Sequence, residues 1–208
     1  MESVKKHYPN DTVKTIYERR AVRKFKDKPV EKELIFELLE AARMAPSAMN
    51  KQPWHFYILN NKEVIKALSS AILHHSKLAL LKASVKEIVH TILHPSSFHL
   101  KDGVDFFKAE DPIFHGAPVV IFISSTKGNE WAQLDIGMCA QNIMLAAKSL
   151  GLDSCPVGLA KFIEHTDEYN EMEVPSSEEI NLAIIIGYGD ETPSVHERKK
   201  DNAKFIYG

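Results

Sequence analysis

Apolar and polar positions follow two rhythms along this chain. From Thr12 to Arg20, the residues Val13, Ile16 and Tyr17 recur at helical spacing, and from Glu31 to Ala45 the residues Leu34, Ile35, Leu38, Leu39 and Ala42 form one stripe. Residues three and four apart share a helix face, so both stretches predict amphipathic helices. Acidic residues open the second, where the helix dipole favours them, and Pro46 ends it. The run Trp54-His-Phe-Tyr-Ile-Leu59 reads as a strand, bounded by Pro53 and the Asn60-Asn61 turn, and another helix follows from about Glu63.

The second half changes character. Residues 118–125 and 182–187 are apolar without alternation, which predicts central strands covered on both faces. Residues 131–150 are apolar on nearly every side, as in a buried helix or a subunit seam, with Gly151 in the C-terminal capping position. Residues 203–207 read as a short terminal strand without an obvious local partner. Between Ser69 and Phe114 the periodicity weakens, and residues 69–114 read as a lid-like insertion in a single domain spanning 1–208.

Composition narrows the function classes. A chain of 208 residues buries a full core without staples. Lys plus Arg number 26 against 28 for Asp plus Glu, so no global basic field exists to hold nucleic acid or an anionic membrane, and any anion site must be local. Cys139 and Cys155 form neither a disulfide framework nor a C-x-x-C pair and read as packing residues in a reducing compartment. The first ten residues carry no apolar leader-like run, and no stretch approaches the roughly 18 apolar residues of a membrane span, so the expectation is a cytoplasmic protein.

Two segments carry candidate chemistry. Arg19, Arg20 and Arg23 concentrate three guanidiniums at a helix end, a density that self-repels unless an anion or carboxylates sit among them. The segment from Ala45 to Trp54 is a proline-stiffened loop on which Ser47, Asn50 and Gln52 offer polar groups to the edge of a planar heterocycle.

Together these segments resemble the nitroreductase family of flavin enzymes, whose signature combines R-x-[SA]-x-[RK]-x-F with A-x-x-A-P-S-x-x-N-x-Q-P-W. Phe25, Pro29, the helix through Leu38 and Arg43, Gly116-Ala-Pro-Val-Val, Asp135 through Asn142, and Gly151-Leu-Asp-Ser-Cys-Pro-Val-Gly158 continue the match in order. The resemblance implies an α+β fold, a nitroreductase-like mixed sheet flanked by helices in an intertwined homodimer. It also implies FMN at each subunit interface, with NAD(P)H as the reductant of a two-step, ping-pong reaction on nitroaromatic, quinone or related electron-poor acceptors. By residue matching, Arg19 and the Ala21 backbone should hold the phosphate, helped by Arg198, Arg20 counts with them among the cofactor-binding residues, and Arg23 should reach the pyrimidine edge and tune the flavin. Pro46, Ser47, Ala48 and Asn50 should come from the partner subunit, and Pro156, Val157 and Gly158 should lie against the ring, the Gly158 N–H facing N5. Ala21 stands where the family often has serine. Lys82 is a further candidate contact, whereas Lys199 and Lys200 read as surface charge. No catalytic side chain is needed, because the chemistry belongs to the cofactor.

Two competing readings remain. His90 and His94 share a helical face with Glu87, and His99 follows, an arrangement in which a zinc or iron site is conceivable. A flavin-binding protein without turnover would carry the same motifs.

Overall fold

The computed structural model describes residues 8–82 and 111–206, with the side chains of residues 76–82 outside that description. Helix α1 (Asp11–Glu18) starts where the Asn10 side chain accepts the Val13 N–H at 2.9 Å. Helix α2 (Lys32–Arg43) leads through a 3-10 turn (Ala48–Asn50) to strand β1 (His55–Leu59) and helix α3 (Lys62–Lys82). Strand β2 (Val119–Thr126), helix α4 (Ala132–Ser149) and strand β3 (Asp153–Val157) follow. A 3-10 segment (Gly158–His165), a short helix α5 (Glu168–Glu171) and strand β4 (Glu178–Gly187) complete the order.

The strands form one sheet in the order β1-β2-β4-β3, and all three ladders are antiparallel. Among the described residues, parallel pairing in the expected mixed sheet is confined to the bridge between Ala21 and Ser154. The missing alternation in β2 and β4 has its explanation in the layers. Val119, Ile121, Ile123, Ile184 and Ile186 pack with Leu38 of α2 and Ile143 of α4 on one face. Val120, Phe122 and Ile185 pack with Ile65, Leu68 and Ile72 of α3 on the other. Each fully buried aliphatic side chain contributes about 1.5–3 kcal/mol, so the two central strands anchor the molecule from both sides.

Several boundaries move. Strand β4 begins at Glu178 rather than Leu182, because the buried Glu178 carboxylate is satisfied: it accepts from Tyr57 OH at 3.1 Å and from Ser124 Oγ, and meets His55 Nδ1 at 2.9 Å. Asp153–Val157, which the hydrophobic pattern does not mark as a strand, is an edge strand. The stretch read as an insertion holds core at both ends: α3 runs through its first part, and Ile113 and Phe114 are buried. His90, His94, Glu87 and His99 lie outside the described residues, as does the side chain of Lys82. Residues 203–206, expected as a strand, carry none and are exposed, since among the described residues no strand lies along them to form a ladder. Among the described residues, no helix is long and apolar enough to cross a membrane. Cys139 and Cys155 are free and buried, as a packing role requires, and burial pushes the Cys139 thiol up to about 12.

Candidate functional site

The arginine segment is laid against the sheet by its own backbone. Val22 donates its N–H to the Ser154 carbonyl at 3.1 Å, forming the parallel bridge that pairs Ala21 with Ser154. In a parallel bridge the bonds run through the flanking residues, so the Ala21 amide itself faces away from β3. Further along, Phe25 bridges Gly189, Lys26 N–H donates to Tyr188 O at 2.8 Å, and Asp190 N–H donates to Lys24 O at 2.8 Å. Gly187 makes room for this docking: a Cβ there would lie 2.7 Å from Pro118 Cδ and 2.8 Å from Phe25 Cδ1.

The four arginines have different duties. Arg20 turns back onto the end of α1, its Nη1 donating to Tyr17 O at 2.6 Å and to Arg19 O at 2.7 Å, which satisfies carbonyls a helix end leaves open. Arg19 is half-buried, and burial foremost, then the Arg20 charge and more weakly Arg198, lowers its pKa from the ordinary value. Among the described residues, none of Arg19, Arg23 and Arg198 is ion-paired to a carboxylate. The fields of Arg23 and Arg19 also reach the Cys155 thiol, whose pKa is nonetheless raised because burial outweighs them. Among the described residues, Arg19 and Arg23 therefore flank the Ala21 bridge to β3 without an ion-paired carboxylate, and Arg198 is near enough to Arg19 for its charge to lower the Arg19 pKa.

The acids nearby serve the backbone. Glu191 accepts from the Arg23 backbone N–H, which fixes the chain and leaves the guanidinium to other partners. Burial, reinforced by Arg23 and opposed by Asp111 and Glu191, lowers the His115 pKa, so this imidazole resists adding to the positive cluster.

Four residues beyond Ser154 the strand reaches Gly158. At about 3.3 Å per residue this is roughly 13 Å from the arginine bridge. A Cβ built on Gly158 meets nothing within 4 Å, so the space over its backbone is open. It opens onto a cleft of about 670 Å³ shared with Gln133, Ile136 and Gly137 of α4 and with Phe162. Pro156 is exposed and Val157 is buried in the core, so Val157 can meet a ligand only through its backbone. A second cleft, of about 510 Å³ between β1 and α3, contains none of the expected site residues.

The loop after α2 sits elsewhere on the protomer. Ala48 donates its N–H to both Asp135 oxygens of α4, at 3.2 and 3.3 Å. Ser47 Oγ accepts the Gln52 N–H at 2.9 Å, and Asn50 Oδ1 accepts from Gln52 Nε2 at 3.1 Å. Pro46 and Asn50 are exposed, while Ser47 and Ala48 are half-buried. Among the described residues no hydrogen bond or ion pair joins this loop to Arg19, Ala21 or Arg23. The structure thus brings Arg19, Ala21, Arg23 and Pro156 through Gly158 to one strand, relates Arg198 to them through its charge on Arg19, commits Arg20 to the helix end, and leaves Pro46 through Asn50 apart. Lys199 and Lys200 are exposed.

The sequence pattern gives no sign of the Glu191 contact, the His115 environment or the anchoring role of Asp135. Of these residues only Asp135 stands out in it, as an acid within an otherwise apolar helix. Among the described residues, no three or more His, Cys, Asp or Glu side chains are grouped to hold a metal ion.

The family model described as "Nitroreductase family" matches residues 16–188. The chain is 31% identical over 198 residues to a 4-nitrobenzoate reductase of Pseudomonas putida, covering 86% of this chain and 85% of that one. It is 28% identical over 201 residues to a chloronitrobenzene nitroreductase of Comamonas testosteroni, covering 88% of each. A crystal structure of a nitroreductase with bound FMN from Desulfitobacterium hafniense superposes with a TM-score of 0.76 at 25% identity, covering 96% of this chain and 100% of that one. The match spans the arginine segment, the loop after α2, β3 and all of β4, and on that footing the chain belongs to the nitroreductase family.

Proposed function

We propose that this protein is an NAD(P)H-dependent FMN oxidoreductase that reduces nitroaromatic, quinone or related electron-poor acceptors in a ping-pong sequence, acting in the cytoplasm as a homodimer with FMN at each subunit interface. One observation carries the reading: among the described residues, Arg19 and Arg23 flank the bridge to β3 without ion-paired carboxylates, with the Arg198 charge acting on Arg19, and the same strand leads to an open glycine backbone. A phosphate-bearing planar group fits that combination, its anion at the arginines and its ring over Gly158.

Each residue then has a task. Arg19, Arg198 and the outward-facing Ala21 amide hold the phosphate, with charge-assisted bonds that also relieve the repulsion among the arginines. Arg20 keeps the end of α1 closed and so keeps Arg19 in place. Arg23 supplies a cation at the pyrimidine edge, where negative charge collects on reduction, and so raises the flavin potential as well as binding. Pro156 through Gly158 give the ring a flat backbone floor. FMN, when bound, would supply the redox chemistry between NAD(P)H and the acceptor, so a general base or nucleophile from the protein is not required.

The partner subunit supplies Pro46, Ser47, Ala48 and Asn50 to complete the site. Supporting this, Phe36, Met44, Met49, Trp131 and Leu134 are large apolar side chains left more than half exposed on α2, the following loop and α4. An apolar face of this kind marks an interaction surface. The edges of the sheet point the same way. The outer side of β3 is taken by the Ala21 bridge, whereas β1 is the opposite edge, and residues 203–206 lie exposed with Phe205 and Ile206 among them. The tail of one subunit pairing with the sheet of the other at β1 would cover both.

An anaerobic absorbance titration tests the whole reading. The purified protein should carry a flavin spectrum that NADH or NADPH bleaches and an electron-poor acceptor restores. A colourless protein that takes up no FMN would overturn the proposal, and a yellow one that neither nicotinamide bleaches would reduce it to a flavin binder.

A further inference from the structure

Asp135 is 1% exposed in the first turn of α4, between buried Ala132, Ile136 and Cys139. Among the described residues its carboxylate has one partner, the Ala48 N–H, and no cation is paired to it. An acid buried in apolar surroundings with so little compensation is costly, and an apolar residue of similar size would serve the packing better. The N-terminal end of the helix offsets part of that cost.

The loop it holds is unusual in its own right. Met49, Asn50 and Gln52 adopt φ of 52°, 54° and 46°, the left-handed region that residues with a Cβ avoid. Its other hydrogen bonds are internal: Asn50 N–H to Ser47 O at 3.0 Å, Lys51 N–H to Ala48 O at 3.1 Å, and the two bonds from Gln52. Among the described residues, the Ala48–Asp135 contact is the hydrogen bond that ties this closed, strained loop to α4.

We propose that Asp135 is a positioning residue for the cofactor site: through the Ala48 amide it sets the loop bearing Ser47 and Asn50 at the height where it meets the flavin bound by the other subunit. The inference rests on the function proposed above. Its chemistry is directional, because the carboxylate accepts only and so fixes which way the Ser47–Ala48 peptide faces.

Three variants test it on the full-length protein, with FMN as the probe. Asp135→Ala removes the acceptor. Ala48→Pro removes the donor at a place that tolerates proline, since Ser47 at φ −143°, ψ 154° has the extended conformation that precedes proline and Ala48 opens a helical turn. Asp135→Asn keeps an accepting oxygen without the charge. We expect Asp135→Ala and Ala48→Pro each to weaken FMN binding about tenfold or more and to shift the flavin potential. Sedimentation and apoprotein melting should change little for Asp135→Ala. Asp135→Asn should recover most of the affinity, and the double variant should bind no worse than the weaker single one, because both remove the same bond. Wild-type affinity and potential in both Asp135→Ala and Ala48→Pro would overturn the inference, as would losses that track dimer dissociation and melting with no recovery in Asp135→Asn. Failure of the wild type to bind FMN would sink the functional reading and this inference together, whereas variants indistinguishable from a flavin-loaded wild type sink this inference alone.

Discussion

The Val22 N–H meets the Ser154 carbonyl at 3.1 Å, and this bond places the arginine segment alongside β3, the strand that leads into Gly158. Two regions separated by more than a hundred positions thereby become one surface, with charge at one end and open backbone at the other. Arg19 and Arg23 lie on either side of the bridge, and in the proposed site they would meet different parts of one ligand.

That division gives the first prediction. Arg19→Ala should weaken FMN binding about 10- to 100-fold, the range for losing a charge-assisted hydrogen bond, while leaving the flavin potential of the loaded fraction unchanged. Arg23→Ala should lower both affinity and potential. Fluorescence titration with FMN and a redox titration separate the two effects, and an unchanged potential in Arg23→Ala would make that residue an anchor only.

Gly158 supplies a prediction in which stability and binding diverge. A Cβ there meets nothing within 4 Å and the backbone is outside the left-handed region, so Gly158→Val should change apoprotein stability by no more than about 0.5 kcal/mol. The same side chain would occupy the space assigned to the ring, and FMN retention should fall sharply. Thermal melting beside a flavin titration checks both, and full retention of FMN would remove Gly158 from the site.

How much of this was legible depends on where the signal resides. Strands β2 and β4 announce themselves because burial on both faces removes alternation, and α2 does so because its stripe faces one layer. Strand β3 does not: Asp153-Ser-Cys-Pro-Val lacks a branched run and contains Pro156, which a sheet tolerates at an edge. Arg19 and Arg20 are identical in type and adjacent, so composition cannot say which guanidinium closes a helix and which stays available. The role of Asp135 depends on a contact spanning 87 positions, which no local pattern encodes. The apolar terminal pattern was visible, but a strand requires a ladder, and the described residues offer none there.

His115 makes stability depend on pH. Burial and the Arg23 charge hold its folded pKa below the ordinary 6.5. As pH falls below 6.5 the unfolded chain therefore binds a proton that the folded chain resists, and stability declines until the folded imidazole protonates as well. His115→Asn, which suits the local φ of 56°, should remove this part of the decline. Urea unfolding of both proteins at pH 7 and at pH 5 measures it, and equal losses in the two would show that His115 contributes nothing.

Burial also determines thiol behaviour. With Cys139 pushed up to about 12 and Cys155 raised as well, neither should react with a thiol reagent near pH 8 while the protein is folded, and both should react after denaturation. Rapid labelling of either thiol in the native protein would contradict the burial on which this rests.

The tail bears on the proposed assembly. Phe205 and Ile206 are 79% and 86% exposed at the end of a segment without secondary structure, an arrangement that leaves apolar surface in water unless something covers it. Pairing with the other subunit's β1 would bury those side chains and supply backbone partners at an open sheet edge. Deleting residues 203–208 should therefore shift the sedimentation equilibrium toward monomer, and FMN affinity should fall with it if, as proposed, each site draws on both subunits. Phe205→Asp should act in the same direction through a single side chain. If the truncated protein sediments as the wild type does and binds FMN equally well, the tail is not part of the subunit contact, and the exposed face of α2 and α4 must hold the dimer alone.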